Sequence, residues 1–173
     1  MNKGRITASD IARIGIMSAA LTAGKTALAF LPNIEVVSLL IILFSIYFGK
    51  KVIFAVLVFI ALECMIWGVN LWTLMYIYIW PLLAAAAWIF RKKDDVVFWS
   101  VFSAVFGLMF GGLCSLVYVF AGGFKTAFYW WIAGIPMDVV HCIGNFFIML
   151  FLYKPLRMVL DRAAGTAEKN NHV

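Results

Sequence analysis

The sequence predicts an all-α fold: a polytopic membrane protein, a six-transmembrane-helix bundle with both termini cytoplasmic. Three observations carry that expectation. Of 173 residues, 65% are apolar and only 13% charged, whereas a soluble domain is about half apolar and about a quarter charged. The apolar residues gather into six runs, each approaching the roughly 20 residues that a spanning helix needs. The 14 Lys and Arg residues fall in short clusters between those runs, as membrane loops do, so the net charge of +6 does not indicate nucleic acid as a partner.

The runs follow in order. The first covers about residues 11–31 and is stopped by Pro32-Asn33. The second, about 34–48, is short and ends at the tight turn Gly49-Lys50-Lys51. The third, about 52–67, carries Glu63 near its end, and the fourth covers about 71–90. The charged loop Arg91-Lys92-Lys93-Asp94-Asp95 separates it from the fifth, about 96–121, which Gly122-Gly123 ends. The sixth, about 128–153, is expected to be interrupted at Gly134 and Pro136, and a polar tail follows over 159–173. The length suits one domain, residues 1–173, with no room for a nucleotide-binding domain. The first run is too long for a cleavable signal, and no small-x-small site closes it. No internal repeat is visible, which counts against an inverted-repeat transporter.

Six crossings make the loops alternate between the two sides. Lys3, Arg5, Arg13, Lys50, Lys51, Arg91, Lys92, Lys93, Lys154, Arg157, Arg162 and Lys169 then share one side, and only Lys25 and Lys125 lie in the other half. An excess of 12 basic residues to 2, from the 14 in the chain, marks the first side as cytoplasmic.

The outer half holds the unusual residues. Ionisable groups within apolar spans cost several kcal/mol unless paired or wetted. Here they include Lys25, Glu35, Glu63, Lys125, Asp138 and His141, with Asn33, Asn70 and Asn145 beside them. Asp138, His141 and Asn145 follow an i, i+3, i+7 spacing and share one helical face. That stripe suits the wall of a ligand cavity, and equally a set of interhelical hydrogen bonds. Glu35 and Glu63 suit ligand contact or a helix end at the water interface, and Lys25 could pair with either. Trp67, Trp72, Tyr76 and Tyr78, with Tyr129, Trp130 and Trp131, crowd the same end. They suit an interfacial belt or, beside a few polar groups, a flat heterocyclic ligand.

Gly15, Ala19 and Ala23, continued by Ala8 and Ala12, form a small-residue stripe on helix one. Such a stripe permits close approach by another helix, and spacing alone favours a helix of the same chain. Cys64, Cys114 and Cys142 are odd in number and lack a CxxC pair, so neither a disulfide framework nor a metal site is expected. No HExxH, GxSxG or paired-carboxylate pattern supports an intramembrane enzyme. A stand-alone secondary transporter or channel using Glu35, Glu63 or Asp138 is the alternative to a binding subunit.

Several stretches carry a family resemblance. They are the small-residue stripe with Ala19-Ala-Leu-Thr-Ala23 spacing of the AxxxA kind, the segment Leu31-Pro-Asn-Ile-Glu35, and Tyr47-Phe-Gly-Lys-Lys51. With the size and the six runs, the chain resembles a substrate-binding S component of an energy-coupling factor (ECF) vitamin transporter. The resemblance implies vitamin binding near the outer surface, in a cavity built from the outer loops and helices four to six. It also implies a transmembrane coupling subunit on the Gly15, Ala19 and Ala23 face, two separate ATPase subunits that bind ATP, and a bacterial plasma-membrane location. The chain itself would hold no cofactor and perform no catalysis. The Pro-Asn-Ile-Glu segment and Ile135-Pro-Met-Asp-Val-Val-His141 are most similar to cobalamin-type members; riboflavin, pyridoxine and queuosine-precursor types are close to them. The substrate-binding residues expected on this reading are Asn33, Glu35, Glu63, Trp67, Asn70, Trp72, Tyr76, Lys125, Tyr129, Trp131, Asp138, His141 and Asn145.

Overall fold

A computed structural model describes residues 6–170, with side chains through residue 163. Lys3, Arg5, His172 and the Lys169 side chain lie outside the described residues. Every regular element among the described residues is helical: α1 (Ala8–Ala27), α2 (Val37–Phe48), a 3-10 turn (Gly49–Lys51), α3 (Val52–Trp67), α4 (Leu71–Phe90), and a stretch Val96–Asn170. Gly123, at φ 82° and ψ 172°, breaks that last stretch into α5 (96–122) and α6 (124–170). Three helical stretches, Val37–Trp67, Leu71–Phe90 and Val96–Ala163, are long and apolar enough to cross a membrane. The chain is a membrane protein.

Local chemistry moves the ends of α1. Thr7 and Asp10 form a capping box at its start, with Asp10 N–H donating to Thr7 Oγ1 at 3.2 Å. The helix therefore begins before residue 11. It ends at Ala27, short of the expected 31, and turns lead to Asn33, whose φ of 54° is left-handed. Asn tolerates that conformation better than most residues. One other expectation fails. Gly134 and Pro136 do not interrupt α6; the only non-helical backbone in the stretch is Gly123, because a proline in a long membrane helix costs one N–H bond and the packing around it absorbs the loss. The polar tail from 159 continues the helix to Asn170, in keeping with its Arg-Ala-Ala composition.

Contacts show the helices alternating in direction. Lys51 pairs with Asp10, Ser18 Oγ donates to Ala55 O at 3.0 Å, and Lys25 pairs with Glu63, so α1 and α3 run parallel. Between them the chain reverses at Gly49, so Val37–Trp67 is two helices folded back on each other. Asn145 bonds Ser38 and Tyr47 bonds Asp161, which sets α2 alongside α6 in the same direction. α2 is apolar all round and forms the centre, with Leu39, Ile41, Ile42 and Leu43 fully buried.

The alternation collects the basic loops at one end. Lys50 and Arg91 lie over Trp88, Lys51 reaches Asp10, and Arg157 reaches Asp94. Lys25 and Glu63 lie at the opposite end. α5 and α6 close on each other through Gly107 and Gly111. A Cβ on Gly107 would sit 2.9 Å from the His141 carbonyl oxygen, and one on Gly111 within 2.8 Å of the Asp138 carboxyl carbon.

Candidate ligand cavity

A cavity of about 300 Å³ opens at the end opposite the basic loops. Its rim is the α1–α2 connection, residues 28–34. Asn33 ties this connection to α6 by donating from Nδ2 to the Met137 carbonyl at 3.1 Å. A short chain of rings forms one wall: Trp72 and Tyr76 with centroids 6.0 Å apart, Tyr76 and Trp80 5.4 Å, Trp80 and Phe110 5.6 Å, Phe110 and His141 4.8 Å. Trp67 closes the side near α3.

Two polar pairs stand in this aromatic setting. The Lys25 ammonium, on the cavity wall, pairs with buried Glu63 and lies 5.4 Å from the Trp67 ring centroid and 5.6 Å from that of Tyr76. That position satisfies the cation by a carboxylate and two aromatic faces. Glu35 accepts the Ser38 N–H at 2.8 Å, which fixes it at the start of α2, and its other oxygen is 3.2 Å from His141 Nε2. Two donors or acceptors on the wall are left over. Trp80 Nε1 and His141 Nδ1 are buried and bond no described residue. Leaving such a group unsatisfied costs about 1–3 kcal/mol; both atoms are closed off from the cavity space, so a ligand or water bonds them only with a small shift of the wall side chains. Trp72 Nε1, by contrast, is used, donating to the Tyr76 hydroxyl at 2.7 Å.

Of the residues the sequence brought forward, Asn33, Glu35, Trp67, Trp72, Tyr76 and His141 line the cavity. The others do not. Glu63 is behind Lys25, fully buried. Asn70 caps α4, accepting from the Trp72 and Thr73 amides. Lys125 and Tyr129 are exposed beside each other, with the ammonium 5.9 Å from the ring centroid. Trp131 packs its indole edge toward Gly112 on α5. The shared face of Asp138, His141 and Asn145 is buried as its spacing implies, but only His141 reaches the cavity. Asp138 accepts the Gly111 amide at 2.9 Å, and Asn145 lies deeper, donating to Ser38 Oγ at 3.3 Å and Ser103 O at 3.4 Å. The last two are interhelical ties.

Lys25, Trp80 and Phe110 belong to the wall but were not among the expected binding residues. The Trp72, Tyr76, Trp80 spacing of four is a legible sign for one of them, since it continues a helical stripe. Phe110 lies inside Gly107-x-x-x-Gly111, a close-packing pattern that predicts where α5 meets another helix.

Gly15, Ala19 and Ala23 are exposed on the outside of the bundle, and a Cβ on Gly15 would meet nothing within 4 Å. The expectation from spacing that the stripe packs within the chain fails. The buried face of α1 uses Met17, Ser18 and Leu21 instead, because the larger side chains fill the gap to α2 and α3.

Among the described residues no group of His, Cys, Asp and Glu is placed to hold a metal ion. No protein-family model, no curated protein and no solved structure matches the chain.

Proposed function

We propose that the chain is the high-affinity substrate-binding subunit of an ECF-type, ATP-driven vitamin uptake transporter in the bacterial plasma membrane. On this reading it crosses the membrane six times, with the basic end and both termini cytoplasmic. The substrate enters the cavity at the outer end. A transmembrane coupling subunit docks on α1, and ATP is hydrolysed on two further subunits.

The observation that carries the reading is the cavity itself. It joins a run of aromatic rings to unpartnered buried nitrogens, Trp80 Nε1 and His141 Nδ1. Rings offer stacking area, and the polar groups of Lys25, Glu35 and His141 on the wall offer orientation, which is the usual composition of a small-molecule site. The exposed Gly15, Ala19, Ala23 face adds a surface on which a second helix could approach closely.

The size narrows the substrate. About 300 Å³ is at the small end of ligand cavities, which run to about 1,000 Å³. It suits a vitamin or heterocyclic precursor of one to three rings. A corrin is far larger and would have to displace the 28–34 rim, so the volume favours the smaller members of the group over cobalamin.

The test is to purify the chain, identify the co-purifying small molecule by mass spectrometry, and follow its uptake in vesicles with and without the ATPase subunits. A bound ring compound whose uptake needs ATP supports the proposal. Uptake by the chain alone, driven by an ion gradient, would replace it with a secondary transporter. Ala19→Leu and Ala23→Leu should leave binding by the isolated chain intact while abolishing uptake by the complex.

A further inference from the structure

A second cavity lies at the basic end and plays no part in the proposed uptake site. It is about 370 Å³, between the start of α3 and the end of α4. Its body is apolar: Ile53 on one side, with Pro81, Ala84, Ala85 and Ile89 on the other. Two alanines and a proline leave the hollow, and the exposure of Ala85 and Ile89 opens it sideways to the surface. Its head is of a different character. Lys50 Nζ lies 4.5 Å from the Trp88 ring centroid and the Arg91 guanidinium carbon 4.9 Å from it. Gly49, at φ 58°, has no Cβ to separate them; one would fall 3.4 Å from Arg91 Nη1 and 3.6 Å from Trp88 Nε1.

The charges here are not balanced. The carboxylates of this end are engaged elsewhere: Asp10 with Lys51 and Thr7, Asp94 with Arg157, Asp161 with Tyr47, and Asp95 on the Val97 amide. Among the described residues no carboxylate bonds Lys50 or Arg91. Trp88 Nε1, next to both, is buried and has no hydrogen-bond partner among them. Two cations and one spare N–H donor thus converge at the mouth of an apolar groove on a membrane-embedded surface.

We propose that this is a binding site for an anionic phospholipid, with an acyl chain in the groove and the phosphate between Lys50 and Arg91, accepting the Trp88 indole N–H once those side chains part. The complementarity is twofold. An anion supplies the missing counter-charge, and a hydrocarbon chain fills a hollow that no side chain of the protein occupies. Basic pockets between helices on the cytoplasmic side are where anionic headgroups bind. A zwitterionic lipid brings its own ammonium to the phosphate and leaves the two cations uncompensated.

The experiment uses the full chain in detergent, with phosphatidylglycerol or phosphatidylcholine titrated in and bound lipid counted by native mass spectrometry. One phosphatidylglycerol should be retained in preference to phosphatidylcholine. Lys50→Gln with Arg91→Gln should weaken it about 30-fold, from roughly fivefold per basic residue. Lys92→Gln with Lys93→Gln removes the same charge away from Trp88 and the groove mouth and should weaken binding far less than the Lys50, Arg91 double variant. Ala85→Trp keeps both cations but fills the groove, and should also weaken binding. Glycerol phosphate, with the phosphate but no acyl chain, should not displace the lipid. Equal retention of the two lipids, equal loss in the two double variants, or displacement by glycerol phosphate would each overturn the proposal.

Discussion

The Lys25–Glu63 pair allows a stability test whose asymmetry follows from burial. The Glu63 side chain is 1% exposed and that of Lys25 24%. Lys25→Met would leave a carboxylate buried without its cation. Breaking a buried pair in that way costs about 3–5 kcal/mol. Glu63→Gln would leave the ammonium, which can turn toward the cavity and water and keeps the Trp67 and Tyr76 faces. Its cost should be smaller, about 1–2 kcal/mol. The double variant Lys25→Met/Glu63→Gln removes both charges and should be more stable than Lys25→Met alone, because no uncompensated charge remains. At roughly 2–4 °C per kcal/mol for a chain of this size, Lys25→Met should lower the melting midpoint by about 6–20 °C. The assay is thermal unfolding in one detergent, followed by intrinsic tryptophan fluorescence, for the four proteins of the cycle. A harmless Lys25→Met, or a double variant as unstable as the sum of the singles, would refute the coupling.

Three further outcomes follow from the geometry. His141→Ala and Trp72→Ala, on the cavity wall, should weaken binding of the co-purifying ligand about 5- to 150-fold, whereas Tyr129→Ala and Trp131→Ala should leave it unchanged; isothermal titration separates the two groups. Gly111→Ala should destabilise the chain by about 1–3 kcal/mol, since the new Cβ would press on the Asp138 carboxylate; Gly15→Ala, with nothing within 4 Å, should be neutral or stabilise by up to about 1 kcal/mol through helix propensity, and equal effects in denaturation would contradict the packing described. Single cysteines placed at positions 92 and 125 should be labelled by an impermeant reagent from opposite sides of the membrane; labelling from the same side would break the six-crossing topology.

The ends of the helices were legible where backbone chemistry is local. Gly49-Lys50-Lys51 and Gly122-Gly123 mark breaks in the sequence and in the fold, whereas Asn70, expected at the ligand, caps α4. Pro136 misled, because a proline within a long helix costs one hydrogen bond and the packing around it absorbs the loss. The polar face of α6 was also legible, since spacing alone places Asp138, His141 and Asn145 together. What each one does there was not.

By itself, the sequence determined a membrane-embedded, all-helical chain, the positions of most helix ends, and the gathering of polar and aromatic residues toward one end. These depend on composition and on interactions within a few residues, which the chain carries locally. Only the tertiary structure decided which of those residues share a cavity. Lys25 takes Glu63 rather than Glu35, Glu35 takes His141, and Asp138 is drawn to the amide of Gly111. It also turned the Gly15, Ala19, Ala23 face outward. Those outcomes depend on the rotation of each helix about its own axis. In helices apolar on nearly every side, no hydrophobic stripe fixes that rotation; close packing across glycines and the pairing of a few buried charges do.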